Sequence, residues 1–161
     1  MVPAPAGKVS PEFEHSVLIS AAPARVLAAF FDAHALADWW QATRSVTTPR
    51  PMGVYAVEWA ATPDADDLLG RLGGVFSGRV MEYLAGREAF IADAWWLPPD
   101  SDPIGPMALS VTCQMSGPAC KLVVKQTGFE DTPRWRRYYE VISNGWRVSL
   151  GALKDYLERT A

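Results

Sequence analysis

The stretch from Thr132 to Arg159 limits what this chain can fold into more than any other segment. Thr132 carries the hydroxyl of a helix N-cap, and Pro133 suits the first helical position, where its missing N–H has no partner to lose. Trp135, Tyr139, Ile142, Trp146, Leu150, Leu153 and Leu157 then recur at spacings of three and four, which draws one apolar stripe. Arg137, Glu140, Asn144, Arg147, Lys154 and Glu158 fall on the other side. A helix of this length spans about 40 Å at 1.5 Å per residue. It needs a broad apolar surface to lie on.

The upstream sequence supplies one. Residues 12–20 alternate with Phe13, His15, Val17 and Ile19 on one face. Pro23 opens a short helix with Val26, Leu27, Phe30 and Phe31, and Asp32 caps a second with Leu36, Trp39 and Trp40. Residues 53–60 place Tyr55, Val57 and Trp59 together. Residues 74–84 and 88–96 form a hairpin about Ala85-Gly86-Arg87. Residues 107–115 and 120–127 form another, with Leu109, Val111, Cys113 and Met115 sharing a face with Leu122 and Val124. Thr62–Leu72 reads as an acidic, irregular loop, and Pro98, Pro99, Pro103 and Pro106 imply a stiff loop without strands. The expected fold class is α+β: a six-stranded curved antiparallel sheet wrapped around the long C-terminal helix. Residues 11–161 read as one domain behind a frayed Pro- and Ala-rich tail over residues 1–10.

Several motifs carry a resemblance. The run from Val17 to Phe31, the step Asp38-Trp39-Trp40, the strand Gly78-Arg79-Val80-Met81-Glu82, Thr127-Gly128-Phe129, and Gly145-Trp146 followed by Leu150, Leu153 and Leu157 are its basis. Together they resemble bacterial relatives of the C-terminal domain of the heat-shock-protein-90 ATPase activator, within the START-like or helix-grip superfamily. That resemblance implies a cavity between sheet and helix. It implies binding of a small hydrophobic molecule, with a co-chaperone or protein-interaction role as the alternative and a polyketide cyclase or aromatase as the third reading. The loops Thr62–Leu72 and Leu97–Pro106 are individual to this chain.

Composition removes other classes. A net charge of −3 with scattered basic residues argues against nucleic acid and against an anionic membrane surface. Arg134, Arg136 and Arg137 read as a solvated helix face. No run approaches the roughly 20 apolar residues of a membrane span, and no signal peptide is evident, so a cytoplasmic protein is expected. Cys113 and Cys120 flank a turn diagonally, at roughly 7–8 Å between Cα atoms, too far for a disulfide in that register. They read as reduced, half-buried thiols. His15 and His34 are isolated, and Asp64, Asp66 and Asp67 lack the later ligand positions of a calcium loop, so no metal is expected. No catalytic motif and no cofactor motif appears, and no catalytic residue is assigned. A cyclase could draw only on His15, Glu58, Asp93 and Tyr139, and alternation puts Glu58 and Asp93 outside.

Seven tryptophans make an aromatic core or an aromatic-lined cavity. The residues expected to line a cavity are Trp40 at its mouth, Tyr55, Val57 and Trp59, Phe90 and Trp96, Leu109 and Val111, and Ile142, Trp146, Ser149 and Leu150. Gly145 costs a helix about 1 kcal/mol relative to Ala. Beside Ser149 and Ala152 it marks either close approach of a strand or open space. The expected partner is a small hydrophobic molecule, a chaperone or other protein being the alternative, with the chain a monomer or homodimer.

Overall fold

The structure is a computed structural model that describes residues 12–160; the tail expected over residues 1–10 lies outside them. Strand β1 (Phe13–Ile19) leads into α1 (Pro23–Ala28) and α2 (Ala33–Trp39), followed by β2 (Arg44–Thr47) and β3 (Val54–Trp59). Two-residue strands β4 (Ala65–Asp66) and β5 (Gly70–Arg71) precede β6 (Gly74–Leu84), β7 (Glu88–Leu97), β8 (Ile104–Ser116) and β9 (Ala119–Thr127), and α3 (Pro133–Arg159) closes the order. The main sheet is antiparallel and runs β1-β9-β8-β7-β6-β3-β2, while β4 and β5 pair separately. This is the helix-grip arrangement, with a main sheet of seven strands where six were expected. The added strand is β2. Arg44-Ser45-Val46-Thr47 has no buried side chain to announce it, because it is an edge strand that pairs only with β3.

The local chemistry explains the elements. Asp32 caps α2 by accepting a hydrogen bond from the Ala35 amide at 3.2 Å, and Thr132 caps α3 by accepting from the Trp135 amide at 3.2 Å. The β8–β9 register pairs Met115 with Cys120 and Cys113 with Leu122, around a turn in which Gly117 takes a φ of 61°. Cys113 and Cys120 are free and fully buried, not half-buried. Burial, with the neighbouring Cys120 thiol, pushes Cys113 up to about 12. Met115 is exposed, since it lies past the part of the sheet that is covered.

Two irregularities change which side chains face inward. In β7 the register against β8 shifts between Ile91 and Ala94, where Asp93 takes a φ of 47°. The extra residue inverts the alternation, so Ala89, Ile91, Ala94 and Trp96 are buried and Phe90 is not. The segment at Pro103–Pro106 is not strand-free. β8 begins at Ile104 and carries Pro106 where the pairing with β7 is again shifted, the kind of position at which a strand accepts proline.

α3 buries Trp135, Tyr138, Trp146, Leu150, Leu153 and Leu157. Tyr138 therefore replaces Tyr139 on the stripe, and Ile142 is half-buried. Tyr139 lies on the flank and donates its hydroxyl to the Glu12 carbonyl at 2.9 Å. His15 faces α3 from β1, half-buried, with Nε2 3.0 Å from the Ser143 hydroxyl. Burial lowers its pKa, the nearby Arg147 charge lowers it further, and the Ser143 contact opposes both. Among the described residues no helix is long and apolar enough to cross a membrane.

Candidate functional site

Around Gly145 the helix α3 leaves a gap against the sheet, although Trp146 beside it reaches Gln126 on β9. At the gap, a Cβ built on Gly145 would meet no heavy atom within 4 Å. Of the two accounts of that glycine, open space is the one realised. A cavity of about 280 Å³ results, at the small end of ordinary ligand pockets.

Four pieces of the fold enclose it. The helix contributes Tyr138, Val141, Ile142, Gly145, Trp146 and Ser149, and Trp40 comes from the end of α2. The sheet contributes Trp59, Phe76, Trp96 and Gln126. The segment between β3 and β6 contributes Ala60, Thr62, Leu69, Leu72 and Gly73. Trp96, Tyr138, Gln126, Leu69 and Trp146 are buried, whereas Val141, Ile142, Gly145, Ser149 and Thr62 keep partial solvent contact and mark the open side. None of these lining residues is Asp, Glu, His, Lys or Arg.

The aromatic walls are pinned. Trp40 stacks on Trp39 at 4.8 Å and 9°, meets Trp59 edge-on at 5.0 Å, and lies 4.9 Å from Trp146. Trp59 donates its indole N–H to the Trp40 carbonyl at 2.9 Å, and Trp96 donates to the Gly73 carbonyl at 2.7 Å. Trp96 also stacks on Tyr138 at 5.3 Å. These contacts hold the rings along the walls of the space.

One polar group sits at the floor. Gln126, at 1 % exposure, is the buried polar residue of the core among the described residues. Its Oε1 accepts from the Trp146 indole N–H at 2.9 Å, and its Nε2 lies 3.2 Å from the Met107 sulfur and 3.5 Å from the Tyr138 hydroxyl. Burial pushes the Tyr138 phenol well above the usual tyrosine range, so it keeps its proton.

The segment over the cavity is fastened rather than loose. Asp66 accepts from the amides of Leu68 and Leu69 at 3.0 Å and pairs with the Arg137 guanidinium at 2.7 Å. Burial pushes the Asp66 carboxyl up, but Arg137 and the two amides outweigh it and hold it below the usual carboxylate range. Ser101 donates to the Leu69 carbonyl at 2.7 Å, and Arg134 donates to the Ser101 hydroxyl and the Asp102 carbonyl. Arg71 grips Asp100 through two bonds of 2.7 and 3.0 Å. The acidic loop is thus a small ladder clasped to α3 and to the proline segment. Of the three arginines expected on a solvated helix face, Arg136 is exposed and pairs with Asp131, while the half-exposed Arg134 and Arg137 are the clasps.

The expected lining divides in two. Trp40, Trp59, Trp96, Ile142, Trp146 and Ser149 border the cavity. Tyr55, Val57, Leu109, Val111 and Leu150 are buried in close-packed core away from it, and the Tyr55 hydroxyl donates to the Phe30 carbonyl at 2.9 Å. Phe90 is on the outer face, turned there by the bulge in β7. Sequence reasoning missed Gln126 and Tyr138. Alternation along Cys120, Leu122, Val124 and Gln126 was the available signal for the first, and the three-residue step from Trp135 for the second. His15, Glu58, Asp93 and Tyr139 do not converge. Glu58 pairs with Arg44, Asp93 is exposed, and β1 and β3 stand at opposite sides of the sheet. Among the described residues no His, Cys, Asp and Glu cluster has metal-binding geometry.

Comparison with known proteins gives one family and many solved structures of similar fold. The family model described as "Activator of Hsp90 ATPase homolog 1-like protein" matches residues 20–158. No curated protein matches. A crystal structure of a Mesorhizobium loti protein is 20% identical, with a TM-score of 0.70, over 93% of this chain and 98% of the other. One from Chromobacterium violaceum is 24% identical, with a TM-score of 0.67, over 93% and 99%. The solution structure of the Aha1 dimer from Colwellia psychrerythraea is 15% identical, with a TM-score of 0.64, over 91% and 96%.

Proposed function

The chain belongs to the Activator of Hsp90 ATPase homolog 1-like family, and on that premise we propose that its cavity is a binding site for a small hydrophobic molecule, without catalysis. The observation that carries the reading is the unfilled space beside Gly145, walled by immobilised aromatic rings and free of ionisable acids and bases. A side chain larger than glycine at that point would improve the helix and close the void. The chain has instead a gap between α3 and the sheet. The dispersed positions of His15, Glu58, Asp93 and Tyr139 supply no acid–base pair for a cyclase.

The test is displacement of an apolar naphthalene fluorophore, read by energy transfer from the cavity tryptophans. The wild type binds it. Gly145→Leu places a branched side chain in the space and weakens binding at least tenfold, while the far-ultraviolet circular dichroism is unchanged. Equal binding by that variant puts the dye on the surface and removes the support for a ligand cavity. The protein-interaction reading then takes first place.

A further inference from the structure

The polar groups at the cavity floor form a chain that can run in only one direction. The Trp146 indole N–H is a donor with no acceptor capacity, so the Gln126 oxygen must face it, as it does at 2.9 Å. That choice fixes the amide orientation and turns Nε2 toward Met107 and Tyr138. The Gln126 N–H then donates to the Tyr138 oxygen, at 3.5 Å. The phenol proton must therefore point elsewhere, and no acceptor for it exists among the described residues. Tyr138 is 3 % exposed and borders the cavity. The Tyr138 oxygen has its partner in the Gln126 amide, and its own proton is the unused donor at the end of the chain.

From this we propose that the natural occupant is a flat, uncharged aromatic molecule bearing a carbonyl oxygen, which accepts a hydrogen bond from the Tyr138 hydroxyl. The inference rests on the ligand-cavity reading above and adds the ligand's polarity and charge. Planarity follows from the walls: Trp40, Trp59, Trp96 and Trp146 offer ring faces and edges fixed by their own contacts. Neutrality follows from the absence of any cation or anion in the lining, since a carboxylate or ammonium would lose its water and gain no countercharge. The acceptor follows from the direction of the relay. Because burial keeps the phenol protonated, the donor persists across the ordinary pH range.

Three naphthalene probes test it: an acylated dimethylaminonaphthalene, the parent amine without the acyl group, and naphthoate. Affinities are measured by calorimetry for the wild type, Tyr138→Phe and Gly145→Leu. The ketone should bind the wild type roughly two- to twelve-fold more tightly than the parent, the range expected of one neutral hydrogen bond. Naphthoate should bind more weakly than either. Tyr138→Phe should level ketone and parent while still binding both. Independently of any variant, the carbonyl stretch of the bound ketone should fall to a hydrogen-bonded frequency in the wild type. Equal affinity of ketone and parent for the wild type, both lost in Gly145→Leu, overturns this proposal and leaves the cavity reading standing. A preference that survives Tyr138→Phe, or an unshifted carbonyl stretch, also overturns it. No binding of any probe by the wild type overturns both.

Discussion

Two stretches of α3 follow the same apolar period and do opposite things. From Leu150 to Leu157 the inward residues are leucines, all at 3 % exposure or less, and the end of the helix is tied to β1 and α2. Lys154 donates to the Leu18 carbonyl at 2.7 Å there, and Arg159 pairs with Asp38 at 3.0 Å. From Val141 to Ser149 the helix presents Gly145 and Ser149 beside half-buried Val141 and Ile142, and space remains. Periodicity places a helix on a sheet; side-chain volume decides whether the interface closes. The cavity comes from the second, not the first.

The sharpest way to break this comparison is to cut one residue from each stretch. Leu153 is fully buried, and Leu153→Ala should cost about 2–5 kcal/mol through lost burial plus a new void. Ile142 is half-buried at an existing opening, so Ile142→Ala should cost less than half as much. Urea denaturation of both variants measures the difference. Equal costs would mean that the middle of the helix is as closely packed as its end.

The second test concerns glycine. Gly145→Ala should stabilise the protein by about 0.5–1 kcal/mol, because it removes the backbone penalty and the new methyl group touches nothing. At Gly78, in β6, an added Cβ would lie 2.7 Å from an Ile91 methyl carbon and 3.0 Å from the Ala92 carbonyl oxygen. Gly78→Ala should therefore destabilise. Thermal melting reads both signs, and loss of stability at Gly145 would contradict the open space.

How much of this was legible in the sequence follows from which forces are local. The caps at Asp32 and Thr132, the β8–β9 register and the helical period from Trp146 to Leu157 depend on neighbours in sequence, and they matched the structure. Trp40, Trp59 and Trp146 could be assigned inward because alternation and the helical stripe are unbroken around them. Phe90 could not, since one extra residue near Asp93 inverts the alternation without any sequence mark. Tyr55, Leu109 and Leu150 show a further limit. Facing inward does not distinguish a cavity wall from solid core, because that depends on what stands opposite. The hold of Asp66 on Arg137 spans residues 71 apart in the chain, and no local pattern announces it.

That hold supplies the smallest effect, and it reads by pH. Asp66 has a folded pKa below its unfolded value near 3.8. The unfolded chain therefore takes up its proton first as the pH falls. The stabilisation from the charged carboxylate is complete well above 3.8, and it is lost as pH drops through the lower folded value. Asp66→Asn keeps an oxygen for the Leu68 and Leu69 amides but gives up the charge facing Arg137. The wild type should exceed the variant in denaturation midpoint by a constant margin from pH 5 to 7. Below that range the margin should shrink toward zero. The Arg137 side chain is 42% exposed, so the margin should also fall with added salt. Leu69, carried by the same segment, covers the cavity beside Trp96, so releasing the clasp should wet that indole. A red shift in tryptophan emission for Asp66→Asn at neutral pH, approached by the wild type only in acid, would join the clasp to the cavity. A margin that does not change with pH would show that Asp66 acts through its turn alone, and that the cavity keeps its cover without the ion pair.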